Sequence, residues 1–437
     1  MRSPASVQAS SVQALLSTIQ DCRAHTLSLI KGIQPEVFRT VFRTQSHPDF
    51  SPVGWHLGHI AYTESLWIAE HLGGGPCPFP QYEQLFAADG LPKAQRQNLP
   101  VLAEVLAYLA EVRSHTKTYL QAANLRDNIR LWHWLIQHES QHAETISMVL
   151  AMHRHPPRPP GTPPKRGFLW AERREAIAQS RHQIRPTSHI NALTEMVFVE
   201  AGEFYQGSDA PDAIDNERSV HPVSLESYWV DRAPVTCGQY RRFIAAGGYE
   251  QRQWWSQAGW QWQQWAKVTQ PLYWTDDWAF EHHPVCGVSW YEADAYARSV
   301  GKRLPSELEW AKAAGWNAIS QKMQRYPWGD ALNEAACNYG HQVGSTTPVK
   351  ADAQSMSPYG CIDMIGNVWE WTDTWFGPYP GFRAFPYEGY SQVYFDQAHR
   401  VLRGGSWATP PWALRNSFRN WYHPHRREVF AGFRCAR

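Results

Sequence analysis

Residues 128–153 read NIRLWHWLIQHESQHAETISMVLAMH, and this stretch decides the architecture of the first part of the chain. Its pattern predicts a long helix, and three more helices are predicted before it. Val12–Ile30 places Leu15, Leu16, Ile19, Cys22 and Leu27 near helical spacing. Ser51-Pro52 opens the next, with proline at a tolerated first-turn position. It runs to about Leu72 and stops at Gly73-Gly74-Gly75-Pro76. Pro100 to about Ala122 carries Leu102, Val105, Leu106, Leu109, Val112 and Tyr119. Four amphipathic helices of about 20 residues make a four-helix bundle the economical fold.

The helix over 128–153 also carries chemistry. His138 and His142 are four residues apart, so they lie one turn apart on one face and can chelate one metal ion. Gln141 is adjacent to that face, and Glu144 follows. As a pair alone, these histidines fit a metal site and an ordinary bundle helix equally. The second helix adds Trp55-His56-Leu57-Gly58-His59-Ile60, with Glu64 beyond it. His56 alone reads as a surface or capping histidine. His59, with Gly58 leaving room beside it, reads as a ligand. Bundle cores build metal sites from facing helices, so His59, His138 and His142 form the candidate set. Three imidazoles suit zinc or Fe(II), and spacing does not choose between them. Zinc would keep one open position. Octahedral iron would keep three, enough for a thiolate, an imidazole and oxygen together.

Composition sets the wider limits. The chain has 437 residues, enough for two to four domains. It is 43% hydrophobic and 19% charged, which excludes a disordered chain. The net charge is +1, with no bulk attraction to nucleic acid or an anionic membrane. No apolar run approaches the roughly 20 residues that cross a bilayer, and Met1-Arg2-Ser3-Pro4-Ala5 runs into a Ser/Gln-rich stretch without an apolar core, so a secretory signal is not expected. The seven cysteines include no C-x-x-C pair, which points to reduced thiols in the cytoplasm.

The tryptophans divide the chain. Four of the 23 precede residue 166, and the rest follow it. Between lies His155-Pro156-Pro157-Arg158-Pro159-Pro160-Gly161-Thr162-Pro163-Pro164, which cannot continue a helix. The expected division is a metal-binding bundle over 1–155, a linker over 156–190 and a second domain over 191–437. The second domain has short aromatic segments such as Met196-Val197-Phe198-Val199, Tyr228-Trp229-Val230 and Val401-Leu402-Arg403-Gly404-Gly405. Two helices are predicted there, about Cys237–Ala246 and Trp290–Val300. The result is a loop-rich α+β domain.

Ser51–His59 (SPVGWHLGH) with His138–Glu144 (HESQHAE) resembles the DinB-like bundle of the ergothioneine-pathway sulfoxide synthases, the hercynine oxygenases. The second half resembles the formylglycine-generating-enzyme fold, C-type-lectin-like, that those enzymes carry. The matching segments are MVFVEAGEFYQGS (196–208), PVCGVSW (284–290), GKRLPSELEW (301–310), YPWGD (326–330), DMIGNVWEW (363–371), VLRGGSW (401–407) and FRNWYHPHRREVFAGFR (418–434). The resemblance covers nearly the whole chain in order. The second set alone implies only a fold, and its union with the three-histidine bundle is what is specific.

The resemblance implies mononuclear non-haem Fe(II) on His59, His138 and His142, with hercynine, a thiol or selenol donor and O2 as small-molecule partners. Gln141 and Asn420-Trp421 then match positions that contact hercynine. Arg426, Lys93 and Arg96 match positions that hold the donor's carboxylates. Tyr379 is the candidate proton donor, with Tyr387 and Tyr390 as competitors. Two departures stand out. Lys93 replaces an arginine and loses its two-pronged grip. Tyr422 stands where many relatives have aspartate, which weakens recognition of a donor ammonium. The donor is therefore open among γ-glutamylcysteine, cysteine, another thiol and a selenosugar, as in selenoneine synthases. Ala408–Arg434 lacks the cysteine pair of a true formylglycine-generating enzyme. The opposing reading is a non-enzymatic binding protein that uses its tryptophan-rich domain as a recognition surface. The active site is expected where the two domains meet.

Overall fold

The computed structural model describes residues 4–155, 195–349 and 353–437. The chain divides into two compact units at Pro157/Arg158. The linker expected over 156–190 lies outside the described residues.

The first unit is built on helices α1 (Pro4–Ser28), α2 (Pro35–Arg43), α3 (Val53–Ser65), α4 (Glu83–Phe86), α5 (Leu102–Ala122) and α6 (Leu125–Arg154). The four long ones pack as a bundle in which α1 and α3 each touch both α5 and α6. Leu15, Leu16, Ile19 and Cys22 of α1 are buried, as their spacing predicts, whereas Leu27 is only half-buried. The helix expected to reach Leu72 is α-helical to Ser65 and then widens into a π-helical turn over Leu66–Leu72. Sequence reading missed α2, a nine-residue helix whose buried Phe38, Val41 and Phe42 make one short apolar face. Proline in its first turn was the available signal.

At the middle of the bundle each long helix contributes one charge. Arg23 of α1 holds Glu139 of α6 at 2.6 Å and Glu64 of α3 at 2.9 Å. Arg113 of α5 holds Glu64 and Glu139 at 2.8 Å each. Burial alone would raise the Glu64 carboxyl, but Arg113 and Arg23 outweigh it and hold it down to about 2. Glu139 is held low in the same way by Arg23 and Arg113 against its burial.

The second unit has two antiparallel strand pairs, β1 (Met196–Val199) with β4 (Tyr228–Asp231) and β2 (Gly202–Gln206) with β3 (His221–Leu225). Helices α7 (Cys237–Ala245), α8 (Gln257–Ala266), α9 (Trp290–Ser299) and α10 (Glu307–Gly315) follow. After the short pair β5 (Trp316–Asn317) and β6 (Lys322–Met323) come β7 (Trp369–Trp375), β8 (Arg400–Arg403), β9 (Asn420–Tyr422) and β10 (Ala431–Gly432). These last four form a sheet in the order β10-β7-β8-β9, with β10 parallel to β7. The two helices predicted from sequence are α7 and α9. Helix α10 was missed because Trp310, Ala311, Ala313 and Ala314 bury it on every side and leave no amphipathic period. Its start was nevertheless legible as a capping box: Ser306 Oγ accepts from the Glu309 amide, and Glu309 accepts from the Ser306 amide.

Glu64→Gln removes one carboxylate from the bundle network and leaves two buried guanidiniums sharing Glu139 alone. It should cost about 3–5 kcal/mol at pH 7 by chemical denaturation. Glu64 has a folded value below its unfolded value of about 4.5. Its contribution is therefore complete above 4.5 and is lost as pH falls through about 2. The stability gap between wild type and Glu64→Gln should shrink over that window; a constant gap from pH 7 to 2 would contradict the ionic account.

Candidate metal centre

Nearly all of α3 is buried, which is why its sequence shows so little polar face. Gly58 lies against Phe86 of α4. A Cβ at Gly58 would stand 2.1 Å from the Phe86 ring, so only glycine lets that ring settle on the helix. The settled Phe86 brings its carbonyl to 2.6 Å from His59 Nδ1. A carbonyl only accepts, so His59 carries its proton on Nδ1 and leaves the Nε2 lone pair for a metal. Trp55 stacks on His59 at 4.6 Å and 10°. Its indole N–H is pinned by the Leu85 carbonyl at 2.8 Å.

His138 and His142 occupy successive turns of α6, with ring centroids 4.5 Å apart. The His59 ring lies 5.1 Å from His138 and 4.7 Å from His142. One nitrogen from each of the three lies within 4.8 Å of the others. Among the described residues, no other group of histidine, cysteine or carboxylate side chains converges in this way. Burial lowers His59 to about 4, with Arg96 assisting and the Phe86 contact opposing. Burial also pushes His138 and His142 well down, each helped by its neighbouring histidines. All three rings are therefore neutral near pH 7, the state that ligates metal. Three neutral imidazoles with no carboxylate or thiolate among them fit a first-row divalent ion such as Fe(II) or zinc. His56 is not one of the converging three. Its Nδ1 instead lies 2.9 Å from His142 Nδ1.

The other expected residues fall into two groups. In the first unit, Arg96 is buried, with its guanidinium 4.0 Å from the Trp55 ring. It donates to the Leu91 and Ala88 carbonyls and to Ser51 Oγ, at 2.9, 2.5 and 3.1 Å. Arg96 is thus a clamp on the loop before α5, which sequence reading did not show. Lys93 is exposed and donates to the Asp49 carbonyl at 2.7 Å. Gln141 is half-buried beside His142.

In the second unit, Asn420, Trp421 and Tyr422 form the edge strand β9, paired with β8 through Val401 opposite Trp421. Trp421 stacks on Phe376 at 4.2 Å and 6°. Asn420 Oδ1 accepts from the Trp421 amide at 2.9 Å. Arg426 is buried one turn beyond. Tyr379 is buried with its hydroxyl turned inward: it donates to Glu307 at 3.2 Å and accepts from Gln206 at 2.5 Å. Arg419 lies over its ring at 4.1 Å. Of its competitors, Tyr390 is buried 6.4 Å from Trp421, and Tyr387 is exposed.

Residues 18–146 match the DinB superfamily, and residues 182–437 match the sulfatase-modifying factor enzyme 1-like domain. Across both, the chain is 37% identical to a protein named hercynine oxygenase from Mycolicibacterium smegmatis, over 97% of this chain and 98% of the relative. This chain belongs to the hercynine oxygenase family. Proteins of the same name from Mycolicibacterium thermoresistibile and Mycobacterium tuberculosis are 38% and 37% identical. They cover 95% and 98% of this chain, and 93% and 99% of their own length. The family's two-part architecture is thus present in this chain, bundle first. No helix among the described residues is long and apolar enough to cross a membrane.

Gly58→Ala tests how the centre is built. The added methyl must displace Phe86, so stability should fall by about 1–3 kcal/mol. Withdrawal of the Phe86 carbonyl should also weaken binding of a divalent ion in a chelator-competition titration. Wild-type stability together with wild-type affinity would show that Phe86 does not orient His59.

Proposed function

We propose that this chain is an Fe(II)- and O2-dependent enzyme that joins the sulfur of a thiol to C2 of the imidazole of hercynine and oxidises that sulfur to the sulfoxide. The observation that carries the reading is the convergence of His59, His138 and His142 in a member of the hercynine oxygenase family. The reaction balances: thiol, hercynine and O2 give the C–S-bonded sulfoxide and water. The S–H and C2–H bonds break, one oxygen atom goes to sulfur, and the other leaves as water. Iron on the three imidazoles supplies redox chemistry toward O2 and open positions for the substrates.

The protein's own groups bind and orient. Gln141, beside His142, hydrogen-bonds hercynine, and Asn420 and Trp421 hold it. Lys93, Arg96 and Arg426 favour a donor that carries a carboxylate or is rich in hydroxyls. The fields of Arg96 and Lys93 support this, since both help burial to press His56 down to about 3. Arg96, with three of its N–H groups engaged, acts chiefly through its charge. Tyr379 serves as proton donor on the condition that its hydroxyl leaves Glu307 and Gln206. Tyr379→Phe with undiminished product would return it to a packing role. The seven cysteines are unpaired thiols, which supports a cytoplasmic location.

A selenosugar donor is the second reading, favoured by Tyr422 in place of a carboxylate. A phenol is neutral near pH 7 and offers no Coulomb attraction to a donor ammonium. γ-Glutamylcysteine should therefore not be strongly preferred over simpler donors.

Iron-loaded protein with hercynine and a panel of thiols and a selenosugar should give a C–S- or C–Se-bonded product by mass spectrometry. His138→Ala should lose iron and product together; full iron retention in that variant would refute the site. Asn420→Ala should raise KM for hercynine at unchanged iron content. Tyr422→Asp should shift preference toward amino-acid-like thiols by about 1–3 kcal/mol in competition kinetics.

A further inference from the structure

The 2.9 Å contact between His56 Nδ1 and His142 Nδ1 constrains which nitrogen of His142 can reach a metal. Two neutral imidazoles share such a contact in only two ways, because one Nδ1 must donate and the other accept. If His56 donates, His142 accepts at Nδ1 and carries its own proton on Nε2, which removes the lone pair needed for ligation. If His142 donates, its Nε2 lone pair is free, and His56 carries its proton on Nε2. Metal binding is compatible only with the second arrangement.

The surroundings hold His56 in place for this task. It is 5% exposed, and the Trp55 ring stands edge-on to it at 5.4 Å and 83°. Trp55 is itself fixed by the Leu85 carbonyl and by Arg96. His56 and His59 sit three residues apart on α3, so one helix supplies a member of the converging set and a partner for another.

We infer that His56 is a positioning residue for the metal centre: by accepting a hydrogen bond from His142 Nδ1–H, it selects the His142 tautomer whose Nε2 ligates. His142 is then oriented by a side chain, as His59 is oriented by the Phe86 carbonyl. This inference rests on the reading that His59, His138 and His142 hold a metal ion.

The test uses the full chain and Co(II) alone, titrated against a chelator. His56→Leu should weaken Co(II) binding about 10–100-fold and change the visible Co(II) absorption. His56→Asn keeps a carbonyl oxygen near the Nδ1 position and should recover most of the affinity. Imidazole 1H–15N correlation spectra of the metal-free wild type should show His142 protonated at Nδ1. Wild-type affinity and absorption in His56→Leu, equal losses in the Leu and Asn variants, or His142 protonated at Nε2 would each overturn the inference. If His56→Leu fails to fold, the Asn variant and the wild-type spectra still decide. His138→Ala separates the two levels. Unaltered Co(II) binding there refutes the centre itself, whereas loss there with no loss in His56→Leu refutes only the role of His56.

Discussion

Four buried charges, one from each long helix, hold the first unit in register. Arg23 and Arg113 each bind both Glu64 and Glu139, so neither carboxylate can slip along the bundle without breaking two contacts. Such a network is weak evidence for net stability, because desolvation offsets much of the Coulomb gain. Its effect here is positional. Glu139 sits beside His138 on α6, and Glu64 lies about 1.4 turns beyond His59 on α3. Fixing the carboxylates fixes the height of the two helices relative to each other. That height lets histidines 79 and more residues apart in sequence come together.

Around this frame, the packing of α3 sets the chemistry of its histidines. A missing side chain at Gly58 admits Phe86, and the Phe86 carbonyl orients His59. Arg96, Trp55 and His59 form a column in which the guanidinium covers the indole and the indole covers the imidazole. A cation is thereby kept close enough to the centre for its charge to oppose protonation of His59. An arginine that reads in sequence as a substrate contact is also a clamp between Ser51 and the carbonyls of Leu91 and Ala88.

In the second unit, many of the recognisable motif residues turn out to hold the fold. Glu307, from the GKRLPSELEW segment, accepts from Arg403 of VLRGGSW and from Arg419, each at 2.7 Å. Glu370 of DMIGNVWEW accepts from Arg434 at 2.6 Å and from the Trp310 indole at 2.8 Å. These are buried charge-assisted bonds between segments distant in sequence, and they tie α10, β7 and β8 to one another and to the irregular segments that carry Arg419 and Arg434. A fold held this way can keep its motifs while its chemistry changes. This agrees with a sequence that carries the motifs of the formylglycine-generating fold but lacks its cysteine pair.

Local signals were enough for much of the molecule. Periodicity marks α1 and α5, which bury one face and expose another, whereas α3, buried nearly all round, is marked by Ser51-Pro52 before it and the glycine run at 73–75 after it. The i, i+4 spacing places His138 and His142 together, because helix geometry alone does so. Helices α2 and α10 escaped because one is short and the other is buried all round. Only the tertiary structure decided the rest. It brought His59 to the α6 pair while setting His56 against His142, and it turned the Tyr379 hydroxyl into an ion-pair network. It also gave Arg96 to backbone carbonyls. Each of these depends on partners from other segments. A side chain's type limits what it can bond, but the fold decides which donor or acceptor lies within reach.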